Sequence, residues 1–113
     1  MKEIKAIIRP SKLLEVTVEL HEIDGLPGVT VSEIKGFGKG RAKHSEDKVV
    51  YEMVEFIPRI QLEVVVDDGM VSEVVNVIQK YAHTGNTGDG KIFVSTVDDI
   101  VKIRTNERGR DAI

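Results

Sequence analysis

The sequence has no cysteine, which removes disulfide frameworks and thiolate zinc sites from consideration and agrees with a reducing compartment. Aromatic residues make up only 4% of it, three Phe and two Tyr, and none falls on the central strands where an RNA-binding sheet stacks bases. No apolar run approaches membrane-spanning length, and the charges inside Met1–Ile8 interrupt what would be the apolar core of a secretory leader. Positive charge is not in excess either. A formal net charge of -3 and a pI near 5.6 argue against a broad face that neutralises nucleic-acid phosphates. Together these absences predict a cytoplasmic protein that neither binds nucleic acid nor inserts into membranes.

What is present is 113 residues, 41% hydrophobic and 31% charged, enough for one domain over residues 1–113 that buries roughly two thirds of its unfolded surface. From Ile4 to Ile8 the residues alternate, with Ile4, Ala6 and Ile8 on one face and Lys5 and Ile7 on the other, as in a strand. Pro10 ends it, Ser11 is placed to cap a helix, and Leu13, Val16, Leu20 and Ile23 recur at helical spacing. The break Asp24–Gly28 leads to a second strand from Val29 to about Phe37. A third strand is predicted over Ile57–Val66, and Asp67-Asp68-Gly69 reads as a turn and helix cap. The second helix, Met70–Ala82, carries Val71, Val74, Val75, Ile78 and Tyr81 on one stripe. A fourth strand over Lys91–Val97 precedes a turn at Asp98-Asp99, a short run Val101–Arg104 and a polar tail to Ile113.

The order strand, helix, strand, strand, helix, strand predicts a ferredoxin-like α/β sandwich, two split βαβ units with both helices on one face of an antiparallel sheet. Ile7 and Val65 then point away from the helices, where a neighbouring chain is able to cover them. Between the second and third strands, Gly38 to Glu55 is too long for a hairpin, and Gly38–Lys48 contains no large apolar residue. Such a segment is solvated or orders against a partner. His44, Glu46 and Asp47 within it lack a second histidine and read as solvated charge rather than a metal site.

The stretch Thr84-Gly85-Asn86-Thr87-Gly88-Asp89-Gly90-Lys91 stands directly ahead of the fourth strand. Glycine accepts positive φ and lets backbone approach a ligand, so Gly88-Asp89-Gly90 is able to aim successive N–H groups at an anion with Lys91 beside it. The same residues also suit a turn that ends a helix and starts a strand. Their spacing is not that of a P-loop.

Taken together, Lys35-Gly36-Phe37-Gly38, Phe56-Ile57-Pro58-Arg59, Thr84 through Val94 and Ile103–Gly109 closely resemble the PII nitrogen-regulatory signal proteins, as does Met1–Pro10. The resemblance spans essentially the whole chain. It implies a ferredoxin-like homotrimer whose clefts between chains bind ATP or ADP, with Mg²⁺ accompanying ATP, and whose long loop docks on a transporter or enzyme. On that resemblance Gly88, Asp89, Gly90 and Lys91, following Thr84, hold phosphates, joined by Lys102 and Arg104 from the neighbouring chain. Ile7, Thr30, Gly36, Phe37, Gly38, Glu63 and Val65 line the adenine and ribose pocket, and Lys39 couples nucleotide to loop.

This sequence departs from the family pattern at several positions. Lys102 replaces a frequent arginine, keeping charge but losing the planar fork. Gly40 stands where a glutamine coordinates Mg²⁺ shared with ATP and 2-oxoglutarate, and it offers no side-chain ligand, so 2-oxoglutarate sensing does not carry over with the rest. Arg59 replaces a lysine that meets the oxoacid, and retains the capacity to pair with a carboxylate. Glu52 occupies the position of the uridylylated tyrosine, with Tyr51 one residue earlier, which predicts no such modification. The competing class is a small phosphate-handling enzyme, an acylphosphatase or slow ATPase. Against it, no arginine and asparagine pair precedes the first helix and no general base is evident.

Overall fold

The computed structural model describes residues 1–38 and 55–113. Among them lie strands β1 (Lys2–Ile8), β2 (Thr30–Gly36), β3 (Ile57–Val66) and β4 (Lys91–Thr96), and helices α1 (Leu13–His21) and α2 (Val71–Ala82). The four strands form one sheet in the order β2-β3-β1-β4 with every neighbouring pair antiparallel, the ferredoxin-like arrangement expected. Strand boundaries differ from expectation by one or two residues: β1 begins at Lys2, β2 runs Thr30–Gly36 and β4 ends at Thr96.

Alternation in sequence sets which face is covered. Ile4, Ala6 and Ile8 of β1 pair across the ladder with Val64, Leu62 and Ile60 of β3, and all six are buried. Against this face pack Val16, Leu20 and Ile23 from α1 and the turn after it, and Val74, Ile78 and Ala82 from α2. Each large aliphatic chain so buried contributes about 1.5–3 kcal/mol, and a one-residue slip of β1 on β3 would expose them all. On the opposite, open face, Ile7 and Val65 are half-buried, as expected of residues turned from the helices. Phe93, paired with Lys5 in register, lies there too and is 47% exposed.

Both helix entrances correct the sequence reading. A 3₁₀ turn precedes each, Pro10–Lys12 and Asp68–Met70, so the cap positions fall on Lys12 and Met70, neither of which makes a side-chain cap bond. Ser11 lies inside its turn, one position too early to cap. Asp67 and Asp68 are drawn elsewhere. Asp67 accepts from Arg110 Nε at 2.9 Å, and Asp68 accepts from the amino group of Met1 at 2.9 Å.

The segment read as a polar tail is likewise anchored. Val101 bridges Arg108, the Lys102 N–H donates to the Glu107 carbonyl at 2.9 Å, and Asn106 turns the chain with φ of 63°. A 3₁₀ turn at Gly109–Ala112 then seats Ala112, which is buried.

Candidate functional site

The site is built where β1 ends and β4 begins. Helix α2 stops at Ala82, His83 is extended, and the loop after it winds round one carboxylate. Asp89 accepts from the backbone N–H of Thr84 at 2.8 Å and of Gly85 at 2.9 Å, from the Thr84 hydroxyl, and from Arg9 Nε at 3.1 Å. Arg9 Nη2 also donates to the Thr87 carbonyl at 2.8 Å, so one guanidinium ties both limbs of the loop. Hydrogen bonds to the charged form, from the Thr84 hydroxyl first, then the Thr84 and Gly85 amides and Arg9, hold the Asp89 carboxyl far below the usual carboxylate range.

With Asp89 fixed, the backbone on either side must take positive φ: Gly88 has φ of 100° and Gly90 of 99°. At Gly90 a Cβ would stand 1.7 Å from the Ile7 carbonyl oxygen, a clash with backbone that no side-chain movement relieves. At Gly88 the same position lies 3.3 Å from Nη2 of Arg9 and 3.3 Å from Nη2 of Arg59, so two cations flank the loop. Among the described residues, no loop hydrogen bond takes up the N–H of Gly88, Asp89 or Gly90. The stretch thus follows the end of a helix and sets the backbone of Gly88–Gly90 beside the cations Arg9 and Arg59. A cavity of about 220 Å³ adjoins it, lined by Ile7, Gly90 and Lys91 together with Ile78 and His83 behind them.

Ile7, Arg59, Thr84, Gly88, Asp89, Gly90 and Lys91 are thus gathered at one end of the sheet. Gly36, Phe37 and Gly38 leave β2 at that same end, since Gly36 pairs with Ile57. The Phe37 ring meets Phe56, with centroids 5.5 Å apart. Thr30, Glu63 and Val65 lie further along and line a second cavity of about 310 Å³. Glu63 accepts a hydrogen bond from Gln61 Nε2. Lys102 and Arg104 are not brought to the loop by their own chain. They come after the far end of β4, where Lys102 pairs with Glu107 at 3.7 Å and Arg104 is exposed. Lys39, Gly40, His44, Glu46, Asp47, Tyr51 and Glu52 lie outside the described residues.

Arg9 was missed as a site residue. In sequence it is only the residue after a strand, some eighty positions from the glycines, and its role emerges once β1 and β4 pair.

Fold and loop together define a class: ferredoxin-like sandwiches with a glycine-rich loop at the entry to the last strand, framed by cations. Comparison with known proteins narrows it. The family model described as "Nitrogen regulatory protein P-II" matches residues 1–107. Proteins of that name from Azospirillum brasilense, Rhodospirillum rubrum and Synechocystis sp. are 48%, 47% and 45% identical to this chain over 113 residues, covering all of this chain and all of each relative. The chain belongs to the PII family of regulatory proteins.

Proposed function

We propose that this chain is a cytoplasmic signalling protein of one domain that binds ATP or ADP between subunits of a homotrimer and reports the bound nucleotide to a target protein. The observation that carries the reading is the glycine loop, with the backbone N–H groups of Gly88–Gly90 taken up by no loop hydrogen bond among the described residues and with Arg9, Arg59 and Lys91 around them. Backbone donors need no rotamer ordering, and charge-assisted bonds to a polyphosphate are roughly twice as strong as neutral ones. The nucleoside would extend from there toward Glu63, Val65 and Thr30, past Gly36–Gly38.

Self-association completes the site. Lys102 and Arg104 are remote from the loop of their own chain, and a neighbour's pair would add the charge that a triphosphate requires. The open face of the sheet, with Ile7, Val65 and Phe93, supplies an apolar surface for that contact. Binding across two chains links nucleotide occupancy to assembly. The output is a population shift in the segment between β2 and β3. ATP, with Mg²⁺, and ADP must favour different arrangements of it, because equal affinity shifts nothing. The target is a transporter or metabolic enzyme, and the relatives' name points to nitrogen regulation. The protein acts by binding rather than turnover.

Calorimetric titration with ATP and ADP, each with Mg²⁺ and with or without 2-oxoglutarate, tests this. Saturable binding of both nucleotides is expected, and Lys91→Ala should weaken ATP by about tenfold, the scale of one charge-assisted contact. No binding of either nucleotide to the assembled wild type would sink the reading. Binding of 2-oxoglutarate only alongside MgATP would mean that Gly40 is compensated and that the protein senses carbon and nitrogen status as well.

A further inference from the structure

Ala112 is buried although it ends a strongly charged run, Glu107 to Asp111. The backbone explains part of this. The Gly109 N–H donates to the Ile100 carbonyl at 3.0 Å and the Ile113 N–H to the Arg110 carbonyl at 3.3 Å, closing a 3₁₀ turn over the far end of the sheet. Arg110 supplies the rest. Its guanidinium forks onto Asp67, Nε to Oδ1 at 2.9 Å and Nη2 to Oδ2 at 3.3 Å, joining this turn to the β3–α2 connection.

Held so, Ala112 and Ile113 form a wall of the 310 Å³ cavity whose other walls include Thr30, Glu63 and Val65. That cavity is remote from the glycine loop. Glu3, which lines it, and Ile7, whose carbonyl meets Gly90, are four residues apart along β1, or roughly 13 Å at about 3.3 Å per residue. A nucleotide with its phosphates on the loop brings its nucleoside, not its phosphates, to this wall.

We propose that the turn Gly109–Ile113 is a positioning element for the nucleoside end of the bound nucleotide, latched in place by Arg110 on Asp67. The inference rests on the nucleotide-binding reading above. Neither Arg110 nor Asp67 lines the cavity. They act through Ala112 and Ile113, whose apolar surface excludes water from one side of the nucleoside while Glu63 and Thr30 offer it polar partners. Because the wall meets the part common to ATP and ADP, releasing the latch weakens both by the same factor. A defect at Lys91 instead grows with phosphate number.

Dissociation constants for ATP and ADP would be measured for wild type, Arg110→Ala, Asp67→Ala, Ile113→Ala and the exchanged pair Asp67→Arg with Arg110→Asp. Each single variant should weaken both nucleotides equally, by about two- to fivefold for the latch residues, the scale an exposed ion pair can contribute. The exchanged pair should return toward wild type, a recovery that a merely misfolded variant would not give. Latch variants that bind both nucleotides like wild type, or that lose ATP and retain ADP, overturn the proposal while leaving nucleotide binding standing. A wild type that binds neither overturns both.

Discussion

The two ends of the sheet are held by different means. At the glycine loop the chain folds round its own Asp89, with Thr84 and Gly85 five and four residues away, and Arg9 alone reaching from a distance. At the opposite end the neighbouring carboxylates Asp67 and Asp68 hold segments far apart in sequence, Arg110 and the amino group of Met1, through exposed ion pairs. The first arrangement is local and over-determined, because several bonds fix one carboxylate. The second rests on one forked pair and one contact to the amino group of Met1, for which solvent competes. On the reading proposed above, a rigid loop at one end would hold phosphates and a more adjustable wall at the other would meet the nucleoside.

The contrast breaks most sharply at Gly90. Gly90→Ala puts a methyl group 1.7 Å from the Ile7 carbonyl oxygen and forces an L residue to φ near 99°, so the β1–β4 end must open. A stability loss of roughly 2–4 kcal/mol by denaturant unfolding is expected, with nucleotide binding abolished. Gly109→Ala, also at positive φ (72°) but in open space, should cost only about 1 kcal/mol. Equal losses at the two glycines would erase the difference between the two ends.

Removing the charge at the centre of the loop is the next largest change. Asp89→Asn keeps an acceptor for Thr84 and Gly85 but leaves Arg9 with the Thr87 carbonyl and without its charged partner, and both nucleotides should bind more weakly. The sign of the pH dependence comes from a carboxyl depressed in the folded state. Its stabilisation is complete above the ordinary value of 3.8 and is lost only as pH falls through the much lower folded value. The Thr84 and Gly85 amide resonances should therefore hold their positions from about pH 7 down past about 4. A titration of those amides centred near the ordinary carboxylate value would show that the network is weaker than the geometry implies.

This difference also explains what was legible in the sequence. The βαββαβ order and the buried faces could be read from alternation at Ile4–Ile8 and Leu62–Val66 and from helical spacing at Val74 and Ile78, because burial on a regular element leaves a periodic trace. The glycine loop was legible because Gly88 and Gly90 are required by local backbone conformation. Helix capping at Ser11 and Asp67 was misread, since a 3₁₀ turn displaces the cap and Arg110 competes for the aspartate. Arg9 and the turn at Ala112 left no local signal. Their roles depend on contacts 80 and 43 residues away in sequence, which no short window contains. The segment between β2 and β3, with Lys39, Gly40 and Tyr51, was characterised only by composition and by family resemblance.

The smallest effect expected is the most direct separation of the two ends. Salt screens exposed ion pairs: at about 0.5 M the screening length is roughly 4 Å, little more than the Arg110–Asp67 separation, whereas a half-buried pair reinforced by bonds from backbone amides is screened less. Arg110 is 75% exposed and Asp67 42%, while Arg9 and Asp89 are 26% and 22% exposed and share their contact with three further donors to the carboxylate. Raising NaCl from about 0.05 to 0.5 M should therefore speed hydrogen exchange modestly, by about two- to threefold, at the Gly109 and Ile113 amides, and leave Thr84 and Gly85 unchanged. Uniform acceleration would mean that salt acts on the whole fold. Acceleration at Thr84 and Gly85 alone would reverse the assignment of which end is rigid, and with it the inference that the turn at Gly109–Ile113, not the glycine loop, is the adjustable part.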